Sequence, residues 1–502
     1  MQPILNLKKI SEDTITEFKK QAKTNHKVQA FNNITFRAKD GEIQKLGCVL
    51  KRMKPLFQTG VRFISFSYKK FQIFFSNLKR LPLKDLKIYF LLCSHLNDGI
   101  LKSLSQNLKH FLFLASLTLN VKLVTFGGPS EFPTSQGISM LFSGLKTLKA
   151  LSKLEISVYN LSSLDNLCLE SLSSALTNFH SLQTLALDFY KCSNIGNKGF
   201  LSFSKALKES TNLIILNLRL NGCGINDECI ESISMAIEGI KSLSNLSLSL
   251  DLDGMKAGKC LFWGLRKLNY LSVLKLDFDL CKSVSDEEMK CLGSCFKNMR
   301  SLRALKLSFK SCELMTDDSI EFLAQGLASL NLLESLEICF IDCLKIQKIG
   351  SLACAFERLV GLSGLKLHFN KCYKIENQEI ETLSSSFRHL NSLVELDLEF
   401  FHCQLVNDLA LKSLSSNFDS FPCLQKLKLN FSSNPQISDF GLEVLSLNLG
   451  VLSSLLSLDL CFVCNQISDN GIKTFSLCLK KLGSLISLKL DFSKNTELER
   501  KE

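Results

Sequence analysis

Leu305-Lys306-Leu307-Ser308-Phe309 is one of seven copies of a motif that recurs between Leu302 and Phe492. The other six copies keep its apolar positions: Leu336-Glu337-Ile338-Cys339-Phe340, Leu365-Lys366-Leu367-His368-Phe369, Leu396-Asp397-Leu398-Glu399-Phe400, Leu427-Lys428-Leu429-Asn430-Phe431, Leu458-Asp459-Leu460-Cys461-Phe462 and Leu488-Lys489-Leu490-Asp491-Phe492. Each copy follows an upstream leucine, and these leucines lie 29 to 31 residues apart: Leu302, Leu333, Leu362, Leu393, Leu424, Leu455 and Leu485. A repeat of this length is typical of a solenoid, in which one supersecondary unit stacks on copies of itself.

Each repeat contains two segments with different periodicity. The motif alternates apolar residues with other types, which predicts a β-strand with one buried face. Four repeats then have Ser or Thr followed by Asp, at Ser285-Asp286, Thr316-Asp317, Ser438-Asp439 and Ser468-Asp469. Such side chains can accept hydrogen bonds from the first amides of a helix. Ile320, Leu323 and Leu327 follow at helical spacing. One repeat is therefore predicted to be a strand followed by a helix.

The repeats extend beyond the seven copies of the motif. Upstream leucines continue the spacing toward the N-terminus at Leu151, Leu182, Leu213, Leu243 and Leu271. Strands joined by helices must run in the same direction, and a helix is wider than a strand. The sequence thus predicts an α/β solenoid shaped as a curved horseshoe, with a parallel β-sheet on the concave face and α-helices on the convex face.

A small side chain occurs ten residues after most of the upstream leucines. This position is Cys192, Cys223, Cys281, Cys312, Cys343, Cys372 and Cys403, and then Asn434, Asn465 and Asn495. It follows the strand, where the chain turns toward the helix. A buried Asn can bond the backbone of the neighbouring turn, and a buried Cys is small and a weak donor. We therefore interpret most of the cysteines as a packing ladder.

These residues resemble the ribonuclease-inhibitor-like class of leucine-rich repeats, and the ladder resembles the cysteine-containing subclass found in F-box adaptors. The segment Leu305–Asp317 carries the resemblance, through its apolar positions, Cys312, Met315 and Thr316-Asp317. The resemblance covers nearly the whole chain. It implies a curved α/β scaffold that binds other proteins, usually on the concave side.

The N-terminal fifth differs from the rest in charge and regularity. Residues 1–110 carry 21 Lys and Arg but only 7 Asp and Glu, whereas the remainder of the chain is nearly balanced. Strand-like spacing persists there in degenerate form, at 31–36, 61–68 and 83–90. We interpret residues 1–110 as basic repeats that cap the solenoid and residues 111–502 as the regular array. Such a charge excess could also attract nucleic acid or an acidic membrane surface.

Two further segments are candidate contacts. Gly127-Gly128-Pro129 and Pro133 mark the one clear insertion as a loop, and Phe126 and Phe132 could make contacts there. The chain also ends soon after its last strand motif, which predicts an open sheet edge and end-on association through the C-terminal repeat.

The sequence indicates an intracellular location. The N-terminal apolar run is too short for a signal peptide, and no apolar run approaches the length of a transmembrane helix. Twenty cysteines without a secretory signal favour free thiols in a reducing compartment. We expect a cytoplasmic protein.

Motifs associated with catalysis have simpler explanations here. Asp439-Phe440-Gly441 spells the magnesium-binding tripeptide of protein kinases, but the other kinase motifs are missing, and the tripeptide occupies the helix start of a repeat. Cys461 and Cys464 have the spacing of half a zinc site, with no second pair. The seven histidines show no metal-binding pattern. We expect no enzymatic activity, no cofactor and no metal.

The residues between the buried apolar positions face the concave surface and carry the functional signal. The first row alternates in charge across seven strands: Lys306, Glu337, Lys366, Asp397, Lys428, Asp459 and Lys489. The residues that directly follow the phenylalanine of each motif form a second row. This row alternates polar with apolar residues, and the apolar ones are Ile341, Phe401 and Val463. We expect both rows, with His368, to bind a partner, although the charges could simply pair with one another.

The favoured function is a non-enzymatic scaffold for protein–protein interaction. A regulatory subunit, such as a GTPase-activating protein or a ubiquitin-ligase substrate adaptor, is an alternative because both use this repeat class. Nothing in the sequence identifies the partner.

Overall fold

The computed structural model describes residues 5–7, 34–38, 58–63, 71–72, 75–76, 78, 83–91, 96–122, 133–252 and 258–495. The chain divides into two compact units, Met1–Leu243 and Ser244–Glu502. Both are built from parallel strands that alternate with helices, and the sheet is open rather than closed into a barrel. The predicted α/β repeat solenoid is confirmed.

The first unit contains eight described strands and five described α-helices. The strands are β1 (Leu5–Leu7), β2 (Ile34–Ala38), β3 (Gln58–Phe63), β4 (Asp85–Leu91), β5 (Ser116–Lys122), β6 (Lys153–Tyr159), β7 (Thr184–Asp188) and β8 (Ile215–Arg219). The helices are α1 (Asp98–Leu108), α2 (Ser135–Leu145), α3 (Asn166–Leu176), α4 (Asn197–Lys208) and α5 (Asp227–Glu238). Each strand pairs in parallel with the next along the chain.

The second unit repeats the arrangement with greater regularity. Its strands are β9 (Asn245–Ser249), β10 (Val273–Asp277), β11 (Ala304–Ser308), β12 (Ser335–Cys339), β13 (Gly364–His368), β14 (Glu395–Glu399), β15 (Lys426–Asn430), β16 (Ser457–Cys461) and β17 (Ser487–Asp491). Its α-helices are α6 (Gly258–Leu265), α7 (Asp286–Phe296), α8 (Asp317–Leu327), α9 (Ala353–Phe356), α10 (Asn377–Ser385), α11 (Asp408–Ser415), α12 (Asp439–Leu449) and α13 (Asp469–Leu479). Short 3-10 turns at Gly350–Leu352, Ser386–His389 and Phe418–Ser420 complete three of the helical segments.

The predicted strands and helix starts agree with the structure in the second unit. The first four residues of every copy of the motif lie on a strand, the phenylalanine follows directly after it, and equivalent residues pair directly, as Leu305 does with Leu336. The four predicted Ser/Thr-Asp helix starts are confirmed, each Ser or Thr being the N-cap: Ser285, Thr316, Ser438 and Ser468. After β12 the sequence Ile349-Gly350 offers no such cap, and the helical segment there is a 3-10 turn followed by the four residues of α9.

One predicted strand of the first unit lies only partly within the described residues. The spacing at 61–68 predicted a strand through Val61, Ile64 and Phe66; the described strand β3 covers Gln58–Phe63 and pairs Val61 with Ile88. The predicted strand segments at 31–36 and 83–90 correspond to β2 and β4. Residues 64–68, the Phe126–Phe132 loop and most of the basic residues 1–82 lie outside the described residues, so the expectations for them stay predictions.

The core lies between the strands and the helices. Strand leucines such as Leu305 and Leu307 are buried together with Ile320, Leu323 and Leu327 of α8. The phenylalanines that end the motif form a continuous stack in the second unit, with neighbouring ring centroids 5.4 to 6.2 Å apart. The stack comprises Phe278, Phe309, Phe340, Phe369, Phe400, Phe431, Phe462 and Phe492. The rings from Phe309 to Phe462 are therefore each buried between the rings of the two neighbouring repeats.

The predicted packing ladder is present. The thiol of Cys403 is buried and donates to the carbonyl oxygen of Phe369, 3.0 Å away. Asn434 occupies the same position one repeat later and donates to the Phe400 carbonyl at 2.8 Å. Its side-chain oxygen also accepts from the backbone N–H of Cys403 at 2.7 Å. The ladder thus closes backbone hydrogen bonds that the turn would otherwise leave unmade.

A second set of contacts between repeats lies at the helix starts. The Asp408 carboxylate accepts the backbone N–H of Ser438 at 2.8 Å and its hydroxyl at 2.6 Å. Gly441, in the first turn of α12, leaves room for that carboxylate, because a Cβ there would lie 2.3 Å from Asp408 Oδ1. Asp439 accepts the backbone N–H of Ser468 in the same way, at 2.8 Å. The Asp439-Phe440-Gly441 tripeptide therefore has a structural role.

No helix among the described residues is long and apolar enough to cross a membrane.

Candidate binding face

One face of the second unit's sheet carries the side chains that are not buried beneath the helices. We call it the open face. Its first row runs through β11 to β17 as Lys306, Glu337, Lys366, Asp397, Lys428, Asp459 and Lys489, and each residue is the direct partner of the next across the sheet. The alternating charge row predicted from the sequence is thus in register along all seven strands.

The ion pairs within this row are only partly those expected from register. Lys306 pairs with Glu337, and Lys489 lies 3.7 Å from Asp459. Lys366 instead pairs with Glu395, at 2.8 Å. Side chains this exposed contribute about 0–1 kcal/mol per pair. The row is therefore a weak stabiliser, and its ends are accessible.

The centre of the row is different, because its charges are mostly buried. Four residues meet there, and we call them the ion cluster: His368 on β13, Asp397 and Glu399 on β14, and Lys428 on β15. His368 Nε2 lies 3.3 Å from Asp397 Oδ1 and 3.9 Å from Glu399 Oε1. Lys428 Nζ lies 3.4 Å from Asp397 Oδ2 and also contacts Glu399 Oε1. Asp397 has only 7% of its surface exposed.

The protonation equilibria of the cluster follow from this burial and pairing. Burial alone would lower the pKa of His368, but Asp397, Cys339 and Glu399 outweigh it and raise that pKa to about 10. Burial would raise the pKa values of Asp397 and Glu399, but the nearby charges of His368 and Lys428, the hydrogen bonds from Lys428 and, at Glu399, the hydrogen bond from Asn370 hold both below their ordinary values. The cluster therefore holds two cations against two carboxylates at neutral pH.

The hydrogen bonding of the cluster is incomplete. His368 Nε2 and Asp397 Oδ1 are buried, and neither makes a hydrogen bond with any residue that the structure describes. The two atoms face each other across a gap that is short but not aligned for a hydrogen bond. Buried polar atoms without partners are uncommon, and each one points to a missing ligand or to strain.

Residues around the cluster fix its side chains. Cys339 Sγ lies 3.4 Å from His368 Nδ1, on the far side of the ring from the carboxylates. Asn370 donates to Glu399 Oε2 at 2.8 Å and accepts the backbone N–H of Phe401 at 2.9 Å. The Glu399 oxygen Oε1 is thereby turned toward His368 and Lys428. These contacts hold the cluster in one arrangement.

The apolar row predicted after the motif is partly exposed on the same side of the sheet. Ile341, Phe401 and Val463 each leave part of their surface accessible. The Phe401 ring lies 5.9 Å from the ring of His402, which in turn meets Tyr373 edge-on at 5.3 Å. Between the apolar residues, the Ser432 hydroxyl accepts the Val463 backbone N–H at 3.0 Å. The polar members of the row thus support the backbone beside the apolar ones.

The other candidate motifs do not form sites. Cys461 is partly exposed and Cys464 is exposed, and within the described part of the chain neither belongs to a group of three or more potential metal ligands. No disulfide joins the cysteines that the structure describes.

Sequence reasoning identified His368 and Asp397 but missed Glu399, Asn370 and Glu395. Glu399 occupies the second open position of the motif, beside His368 in register, so the pairing could have been read from the spacing. Lys366 pairs with Glu395 rather than with its register partner Asp397, and this depends on side-chain rotamers, which the strand register does not determine.

Comparison with known proteins adds no relative. No protein-family model matches this sequence, and no curated protein is significantly similar to it. The fold alone places the chain in a class, that of α/β repeat proteins with parallel strands.

Proposed function

We propose that this protein is a non-enzymatic scaffold that binds another protein along the open face, and that its repeats are leucine-rich repeats of the ribonuclease-inhibitor-like class. The observation that carries the proposal is the register of the open face. Charged side chains occur on every strand from β11 to β17, and apolar side chains follow every second strand, at Ile341, Phe401 and Val463. Strands in a parallel sheet are about 4.8 Å apart, so such rows offer regularly spaced contacts to an extended or helical segment.

The apolar row supplies the anchors in this proposal. Binding energy in protein interfaces is concentrated in a few residues, often aromatic, that become buried on association. Phe401 is the largest member of the row and lies next to His402 and Tyr373. Lys366 and Lys428 lie nearby on the charged row and would orient a partner rather than supply most of the affinity.

The packed thiols of the ladder favour a compartment where thiols stay reduced. Ladder residues such as Cys312, Cys343 and Cys403 are buried and donate to backbone carbonyls. They have no role in a disulfide framework. We therefore propose a cytoplasmic location.

The test compares two pairs of apolar-to-serine substitutions in the full chain. The first variant carries Phe401→Ser and Val463→Ser on the open face. The control carries Leu409→Ser and Leu447→Ser on the helices, where 53% and 63% of these side chains are exposed. Affinity purification from cell extract with quantitative mass spectrometry measures which proteins each version retains.

We expect the open-face variant to lose its partners by at least about tenfold, as for removal of an interface anchor, while the control retains them. Circular dichroism and thermal unfolding establish that both variants are folded. Equal retention by all three proteins would show that the open face is not the binding surface. Loss from the helix control alone would place binding on the helices instead.

A further inference from the structure

We propose that His368, Asp397 and Glu399 form a binding site for a divalent metal ion of the zinc type. His368 Nε2, Asp397 Oδ1 and Glu399 Oε1 converge, and the group as a whole offers one ligand atom per residue within 4.8 Å of one another. One imidazole nitrogen and two carboxylate oxygens are ligands that Zn²⁺ and its neighbours in the first transition row bind well. This site does not depend on the scaffold function proposed above.

The distances between the ligand atoms suit such an ion. Ligands about 2.1 Å from a tetrahedral zinc ion lie about 3.4 Å from one another. His368 Nε2 is 3.3 Å from Asp397 Oδ1 and 3.9 Å from Glu399 Oε1. A small inward movement of the Glu399 carboxylate would complete three corners of a tetrahedron. Water or a ligand from a partner would take the fourth position.

Two atoms of this group have the unmet bonding that a metal ion would satisfy. Asp397 is more than nine-tenths buried, and its Oδ1 makes no hydrogen bond within the described part of the chain. His368 Nε2, directly opposite, makes none either. A lone pair on nitrogen and one on oxygen cannot face each other without a cation between them. In the metal-free protein a proton on Nε2 lessens this repulsion without making a hydrogen bond to Oδ1, and a metal ion would replace it.

The backbone and the surrounding side chains already hold the ligands in place. His368 and Glu399 are direct partners on neighbouring strands, and Asp397 precedes Glu399 by two residues on the same face. Asn370 fixes the remote oxygen of Glu399 at 2.8 Å, and Cys339 fixes the remote nitrogen of His368 at 3.4 Å. Outer contacts of this kind orient metal ligands and tune their affinity. A site on paired strands needs little rearrangement to bind.

Lys428 would compete with the metal ion for the carboxylates of Asp397 and Glu399. Its ammonium group contacts Glu399 Oε1 and lies 3.4 Å from Asp397 Oδ2. A metal ion would repel this group, whose side chain is 40% exposed and can turn away. Asp459, its direct partner on β16, can receive the displaced charge. Removing the lysine charge should therefore strengthen metal binding, whereas it would only weaken a cluster of ordinary salt bridges.

The experiment is a Co²⁺ titration of the reduced full chain followed by visible absorption. Co²⁺ replaces Zn²⁺ at sites of this kind and gives d–d bands when bound, and thiolate ligands add a separate charge-transfer band that reports binding to cysteine. The variants are His368→Gln and Glu399→Gln at the ligands and Lys428→Gln at the competitor. His402→Gln is the matched control, because it removes a histidine one repeat away that belongs to no group of potential metal ligands among the described residues.

We expect saturable d–d absorption in the wild type and in His402→Gln, with displacement by Zn²⁺ but not by excess Mg²⁺. The absorption should be lost in His368→Gln and Glu399→Gln, and Lys428→Gln should bind about tenfold more tightly, comparable to a change in an outer contact of a metal site. Glu399→Gln is nearly isosteric, so it tests the site even if His368→Gln does not fold.

Three results would overturn the proposal. The first is no d–d absorption in the wild type at millimolar Co²⁺. The second is absorption that is unchanged in folded Glu399→Gln protein, or that is accompanied by the thiolate band and therefore arises at cysteines. The third is weaker binding in Lys428→Gln than in the wild type.

Discussion

The carboxylate of Asp286 accepts two hydrogen bonds from Thr316, which lies one repeat further along the chain. The Thr316 backbone N–H lies 3.0 Å from Oδ1, and its hydroxyl lies 2.8 Å from Oδ2. Thr316 is at the same time the N-cap of α8. One residue thus caps its own helix and is bonded to the preceding helix. The contact recurs between Asp408 and Ser438, so helix capping also links successive repeats.

Removing this contact should destabilise the second unit. We expect Asp286→Ala to lower the free energy of unfolding by about 1–3 kcal/mol, because hydrogen bonds to a charged group contribute that much. Asp286→Asn should cost less, since Asn377 makes the equivalent contact with the Asn407 backbone N–H at 3.0 Å. Urea unfolding followed by circular dichroism measures both. Equal losses for the two variants would contradict this account.

The same contact should depend on pH. Burial opposes ionisation of Asp286, but donors on Ser319 and Thr316 hold its pKa below the ordinary value of 3.8. A carboxyl group whose pKa is lower in the folded state stabilises the protein above its unfolded pKa, and this stabilisation is lost as pH falls through the folded value. The stability difference between wild type and Asp286→Ala should be constant above about pH 5 and shrink below about pH 4. A constant difference at pH 3 would show that the charge is unimportant.

Replacing Gly441, even by alanine, should destabilise the folded protein. Within a helix, Gly→Ala normally stabilises by up to about 1 kcal/mol. Here the added Cβ would lie 2.3 Å from Asp408 Oδ1, and that carboxylate is held by Ser438. We expect Gly441→Ala to lower the free energy of unfolding by about 1–3 kcal/mol, as for other overpacked sites. Thermal unfolding measures the change.

The matched control is Gly361→Ala. A Cβ at Gly361 would meet nothing within 4 Å, so this substitution should leave the melting temperature nearly unchanged. If Gly441→Ala were as well tolerated as Gly361→Ala, the structural explanation of the Asp439-Phe440-Gly441 tripeptide would be wrong.

Much of the fold could be predicted from the sequence because it follows from local periodicity. The strand of each motif, the N-caps Ser285 and Thr316 and the ladder at Cys403 and Asn434 depend on residue type and spacing within one repeat. The bonds from Asp286 and Asp408 to the next repeat were not predicted, because they need the spacing between helices in three dimensions.

The candidate site could be predicted only in part. Register follows from the repeat, so the row through Lys366, Asp397 and Lys428 was found. Burial at its centre was not predicted, because an open position on a strand is normally exposed, whereas Asp397 lies against the side chains of His368 and Lys428.

Replacing the ladder residue Asn434 by alanine should lower the free energy of unfolding more than replacing it by cysteine. Asn434 donates to the carbonyls of Phe400 and Phe431, at 2.8 and 2.9 Å, and accepts from Cys403. Asn434→Ala leaves these buried groups unpaired, and we expect a loss of about 2–4 kcal/mol. Asn434→Cys should lose about 1 kcal/mol less, because Cys403 makes the corresponding thiol–carbonyl bond one repeat earlier. Urea midpoints measured on both variants test this, and equal midpoints would show that the ladder thiols act only as space fillers.

The ladder thiols should be chemically inert in the folded protein. Burial raises the pKa of Cys343 and of Cys403 to about 12 each, and only the thiolate reacts with alkylating agents. At pH 8 only about one in ten thousand of the thiols at these positions is therefore ionised. Cys423 and Cys464 are exposed and serve as internal controls. We expect iodoacetamide to modify the exposed pair within minutes and the ladder thiols only after unfolding in urea, as measured by mass spectrometry of tryptic peptides. Modification of Cys343 or Cys403 at the rate of Cys464 in the native protein would mean that the turns of the ladder open readily.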